Sequence, residues 1–183
     1  MAKNGFTMSK RMVIETISDG TGNASETQLK TLNRLDCGKK FLIEASGNVR
    51  MVLPSASVDD GTHGVEASGW FVDVEFTVDA ATGVSGLGKD SATFQLDTKY
   101  DNVANNVDTI DGMIIAGDHI DAASNEVAFF TGSGTNNQLL MRQGNGFKKG
   151  TSLRLYTKAD QVWRVKGEAL MTGTLATPFA TES

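Results

Sequence analysis

The sequence predicts an all-β fold: an antiparallel β-sandwich or barrel-like domain with an extended N-terminal arm and long loops. Apolar residues fall in short clusters rich in β-branched and aromatic types, separated by Gly, Asn, Asp or Ser, while helical periodicity is scarce. The stretch "GWFVDVEFTV" alternates strictly, with Trp70, Val72, Val74, Phe76 and Val78 on one side and Phe71, Asp73 and Glu75 on the other. One strongly apolar face and one mixed face are the mark of a half-buried strand, here read as antiparallel. Nine or ten such segments in 183 residues suit a sandwich or barrel.

In order, strands are expected at 11–17, 40–45, 48–54, 69–78, 92–96, 109–117, 126–132 and 138–143, followed by a pair within 151–167. "EASGNVR" places Ser46, Gly47 and Asn48 between two strands as a short hairpin turn, and Pro54 closes the second strand because it has no N–H to donate. "NASETQLKTLNRLDCG", with Leu29, Leu32 and Leu35 spaced by three and Ser25 as N-cap, reads as one short helix or turn. Loops are expected at 55–69, 79–91 and 97–108, where Gly, Asn and Asp resist regular structure. No fixed-period repeat stands out, which argues against a solenoid or propeller. The expected organisation is an arm at 1–10, one sandwich domain at 11–170 and a tail at 171–183.

The chemistry that this composition allows is narrow. Cys37 is the single cysteine and His63 and His119 the only histidines, so neither a disulfide framework nor a Cys/His zinc site is expected. The N-terminal segment has no apolar run before a small-residue cleavage site, and no stretch is long enough to span a membrane, so synthesis inside the cell is expected. A net charge of −5 disfavours nucleic acid and anionic membranes as partners. "GVSGLG" at 83–88 lacks the spacing of a nucleophile elbow, and "GSGTNN" and "GNGFKKG" match no phosphate loop. Asp97, Asp101, Asp108, Asp111, Asp118 and Asp121, with His119, crowd one region and offer the hard oxygen ligands that Ca²⁺ prefers. Their spacing fits no calcium loop, however, and aspartate is common in turns for its own backbone bonding. Asp73 and Glu75 lie about 7 Å apart along one strand face, within reach of glycosidase geometry, but a solvated face explains them as well. Neither enzyme activity nor a cofactor nor a metal is expected.

Binding surfaces remain. In "TSLRLYTKADQVWRVKG" alternation puts Leu153, Leu155, Trp163 and Val165 on one face of a hairpin, and Trp70 likewise opens an apolar face, so both tryptophans are expected in the core. The opposite face carries Arg154, Tyr156, Arg164 and Lys166, either a basic facet for an acidic partner or a solvated sheet surface. Lys3, Phe6, Lys10 and Arg11 in the arm and Phe179 in the tail are candidate anchors for straps that order on a partner.

Two segments carry a resemblance. "LDCGKKFLIEASGNVRMVLP" (35–54) contains an Asp-x-Gly-Lys run, a hydrophobic strand, a small-residue turn and a strand ending in Leu-Pro. "GTSLRLYTKADQVWRVKGEALMTGTLATPFA" (150–180) contains Trp-x-Val-x-Gly after an Asp-containing turn. Together these resemble small virion proteins of tailed bacteriophages, typically β-sandwich capsid decoration (cement) proteins or parts of tail fibres. The resemblance covers roughly fifty residues at the two ends and transfers no active site. The turn Lys158-Ala159-Asp160 departs from the glycine-rich version of the pattern, and the loop at 55–69 is an addition. The resemblance implies a structural protein that is assembled in the host cytoplasm, sits on the capsid surface and binds the major capsid protein at capsomer junctions. It implies a homo-oligomer, with a trimer favoured. The alternative is a carbohydrate- or receptor-binding module of a tail fibre or spike, which requires exposed aromatic rings.

Overall fold

The computed structural model describes residues 12–18, 28–45, 48–56, 69–79, 92–98, 108–118, 126–142, 148–159, 161–171, 175 and 177–181. These form twelve strands: β1 (Ile14–Ile17), β2 (Gln28–Thr31), β3 (Lys40–Ile43), β4 (Val49–Val52), β5 (Phe71–Phe76), β6 (Ala92–Asp97), β7 (Thr109–Asp118), β8 (Val127–Gly132), β9 (Gln138–Arg142), β10 (Ser152–Ala159), β11 (Val162–Met171) and β12 (Phe179–Ala180). A seven-stranded sheet runs β1-β3-β5-β10-β11-β7-β8 and a five-stranded sheet runs β12-β9-β6-β4-β2. One core lies between them. Phe41, Val72, Val74, Leu155, Trp163 and Ile114 from the larger sheet join Val49, Met51, Phe94, Leu96 and Leu139 from the smaller. Phe76 meets Phe94 edge-on across the gap at 5.1 Å, and within the larger sheet Trp70 meets Trp163 edge-on at the same distance.

All nine or ten expected strands are present, but the sheets are mixed rather than purely antiparallel. The chain passes from one sheet to the other at every step from β1 to β7. Among β1 to β6, neighbours in each sheet are therefore strands two apart in sequence, and β1–β3, β3–β5, β2–β4 and β4–β6 all pair parallel. Alternating side chains reveal a half-buried strand but carry no information on its direction. The first half of the chain thus winds as a coil around the core. Its turns differ in length, since Ile14 faces Lys40 and Lys40 faces Asp73, whereas Gln28 faces Val49 and Val49 faces Phe94. That irregularity is why no period shows in the sequence.

Two further expectations change. β3 and β4 do not pair as a hairpin, because they belong to different sheets; Ser46 and Gly47 lie outside the described residues. Of the short helix or turn expected within 23–38, residues 23–27 with the N-cap Ser25 lie outside the described residues, and the remainder forms β2 and a single 3-10 turn at Arg34–Asp36. Of its three leucines only Leu32 is buried, while Leu29 and Leu35 are exposed, so the spacing of three had no core face to serve. The turn is capped by Asn33, whose side chain accepts from the Leu35 N–H while Asp36 accepts from the Asn33 N–H. The described residues of the tail belong to the domain: Met171 ends β11 in the core, and β12 pairs with β9.

Candidate interaction surface on the seven-stranded sheet

Cross-strand register builds the surface. Arg154 lies opposite Lys166 and Tyr156 opposite Arg164, while Leu155, Trp163 and Val165 are buried on the other side. The expected faces of the hairpin are therefore those observed, and the four candidate residues come together. Extending the register, Ile14, Lys40, Asp73, Arg154, Lys166, Met113 and Thr131 form one row across the whole outer face.

This row changes the electrostatic reading. The face is not a basic facet, because acidic neighbours from β5 and β7 meet its arginines. Arg154 donates to both carboxylate oxygens of Asp73, Nε to Oδ1 at 2.6 Å and Nη2 to Oδ2 at 2.8 Å, with its guanidinium 4.9 Å from the Phe71 ring. Arg164 grips Asp111 in the same forked manner at 2.8 and 3.1 Å, and Lys158 adds a third bond at 2.6 Å. Lys40 pairs with Glu75. The hydrogen bond from Arg164, then that from Lys158, holds the Asp111 carboxyl below its ordinary range, and Asp73 and Asp111 in turn raise their arginines. Lys166 alone of the three cations has no ion pair among the described residues. A shallow trough of about 570 Å³ follows the row from Met12 past Lys40, Arg154 and Lys166 to Met113 and Ile115.

The apolar rims of this face were not anticipated. At one side Met12, Val13 and Ile14 are exposed; at the other Met113, Val127 and Phe129 are, with Phe129 66% accessible. The sequence places "AFF" in a strand, but only the topology makes that strand the last in its sheet, with no partner on its far side among the described residues.

The other candidates are placed as follows. Lys3, Phe6, Lys10 and Arg11 lie outside the described residues. Phe179 is corrected from a strap anchor to a core residue, since its ring packs over Gly132, where an added Cβ would approach within 2.7 Å. The described aspartates do not converge on one site. Asp97 is fully buried and accepts from Arg50, Gln95 and Gln138, Asp108 accepts from the Ala56 N–H at 2.5 Å, and Asp111 is held by Arg164 and Lys158. Asp101, His119 and Asp121 fall outside the described residues, as does the Asp118 side chain, and the described ones contain no metal-ligating cluster. Asp73 and Glu75 share a strand face but are each committed to a cation. Neither tryptophan offers a platform, since Trp163 is fully enclosed and Trp70 nearly so.

The two motif segments are scaffold. In Asp36-x-Gly38-Lys39 the aspartate caps the turn and binds Lys39 at 2.6 Å, and Gly38, at φ +78°, donates its N–H to the Phe71 carbonyl. Lys39 and Lys30 both reach Glu15, so this turn ties β1, at one edge of the larger sheet, to β2, at the edge of the smaller. In Trp-x-Val-x-Gly, Gly167 admits the Ser152 carbonyl so closely that a Cβ would stand 2.2 Å from it. The chain matches no known family model, and no curated protein or solved structure is significantly similar to it.

Proposed function

We propose that this chain is a structural protein of a bacteriophage particle, a decoration protein that binds the major capsid protein at capsomer junctions and stabilises the shell. The observation that carries the reading is the outer face of the seven-stranded sheet. It is wide, most of its charges are matched by neighbours, with Lys166 left over among the described residues, and its rims are apolar. Such a surface suits a protein partner: exposed apolar groups gain by being covered, and charges already paired within the chain leave fewer lone charges for a partner to bury. The motif segments that resemble phage virion proteins supply turns and core rather than chemistry, in keeping with a mechanical role. Stabilisation would act by mass action, through binding the closed shell better than its loosened form.

Reconstitution tests this. Purified protein added to expanded heads lacking it is expected to bind with saturation and to raise the temperature at which the heads release DNA. Heads that neither bind it nor gain heat resistance would remove the proposal. Iodide quenching addresses the rival carbohydrate-binding reading. Fluorescence of Trp70 and Trp163 is expected to resist quenching in the native protein and to become sensitive only on unfolding.

A further inference from the structure

Four strands end the two sheets, and three of them are protected against pairing with another chain. β1 is four residues long and carries Glu15, clasped by Lys30 and Lys39. β2 is equally short and carries Lys30, and β12 has only two residues. Short length and charge are the usual means of keeping an edge from recruiting a partner. The fourth edge has neither. β8, "VAFFTG", is six residues long, contains no charge and no proline, and among the described residues pairs only with β7. Val127 and Phe129 on its outer face are 64% and 66% accessible.

We infer that β8 is a self-association edge, and that two copies of this chain join there in antiparallel register across a two-fold axis through Phe129. The choice of a second copy as occupant rests on the strand's own complementarity. An antiparallel pair places side chains of the same face opposite one another. Centred on Phe129, the register sets Phe129 against its own copy and Val127 against Thr131 on the outer face. On the inner face the half-buried Phe130 meets Ala128, a large residue against a small one, twice. Glu126, which precedes the strand, falls opposite Gly132, so no like charges meet. The pairing joins two seven-stranded sheets into one continuous sheet, using the backbone groups of β8 that point away from β7. It also brings the apolar rims formed by Met113, Val127 and Phe129 next to each other, extending one outer face across both copies. A two-fold pair differs from the trimer that the resemblance implies: a three-fold ring would need β8 to meet a different strand, such as β1, whose edge is short and charged.

The purified chain tests this without any phage partner, so the outcome is independent of the proposed function. Sedimentation of the unmodified protein at tens of micromolar is expected to show a dimer. Phe129→Lys, which puts like charges at the axis, should raise the dissociation constant by about tenfold or more, with the near-ultraviolet circular dichroism of the tryptophan pair unchanged. In a Cys37→Ser background, Phe129→Cys is expected to form a disulfide-linked dimer on mild oxidation, while Leu35→Cys, on the exposed 3-10 turn, should not. A monomer at these concentrations overturns the inference, as does a trimer indifferent to Phe129→Lys. So does a Phe129→Cys protein that stays uncrosslinked, which also decides the matter should the lysine variant misfold.

Discussion

The two outer faces of the sandwich use the same residue types to opposite ends. On the seven-stranded sheet the carboxylates Asp73 and Asp111 are gripped by arginines that remain substantially exposed. On the five-stranded sheet Asp97 has no accessible surface at all, and Val52, Gln138 and Leu140 beside it are buried as well. Asp97 accepts from Arg50 Nε at 2.6 Å and from the amides of Gln95 and Gln138 at 2.8 Å. An ion pair in water gains little because solvent already stabilises each partner, whereas a buried carboxylate depends on every donor it has. The difference lies in the carboxylates: Asp73 and Asp111 keep access to water, whereas Asp97 is enclosed even though its partner Arg50 is itself 41% exposed.

Removing one cation from each face measures this difference. Arg50→Met is expected to cost about 3 kcal/mol in chemical denaturation, because it leaves the Asp97 charge enclosed with only two neutral donors. Asp97→Asn should cost about 2 kcal/mol: all its partners are donors, and an amide N–H₂ would confront one of them. Arg164→Met is expected to cost less than about 1 kcal/mol, since Asp111 keeps Lys158 and access to water. If Arg164→Met proves as costly as Arg50→Met, the open face is structural rather than available.

The smallest effect is in pH. Glu15, chiefly through its hydrogen bond from Lys30, and Asp111, chiefly through that from Arg164, both have carboxyl pKa values lowered in the folded chain from ordinary values of 4.5 and 3.8. As pH falls the unfolded chain takes up these protons first. The stabilisation is then complete above the ordinary carboxylate range and drains away as pH drops through the lowered folded values. Both groups are partly exposed, so the change should be a fraction of a kcal/mol for each. Melting temperature followed from pH 6 to pH 3 should fall less steeply in Glu15→Gln than in the unmodified protein.

Side-chain alternation made the strands and their faces legible, and with them the burial of Trp163 and the gathering of Arg154, Tyr156, Arg164 and Lys166 on one surface. It left sheet membership hidden, because which strands become neighbours depends on contacts far apart in sequence. Asp73 is 81 positions from Arg154 and Asp111 is 53 from Arg164, so the pairings that neutralise the expected basic facet had no local signal. Leu29, Leu32 and Leu35 misled for the complementary reason: a spacing of three suggests a helix only if something covers the resulting stripe. The status of β8 as an edge was invisible too, since a strand with one neighbour reads the same as a strand with two.

The place of the β10–β11 hairpin has a consequence for how the protein comes into being. It stands between β5 and β7 in the larger sheet, pairing with one on each side. On a ribosome adding roughly 5–20 residues per second, β5 and β7 emerge well before the strands that must separate them. Until then the middle of the larger sheet is missing, and Val74, Ile110 and Ile114 lack the strands that later cover the space between them. The nascent chain therefore has no stable partial sandwich in which to wait. Its folding is expected to be a late event that waits for the last strands to be made, and nonsense products ending before Trp163 should be degraded rather than accumulate as folded protein.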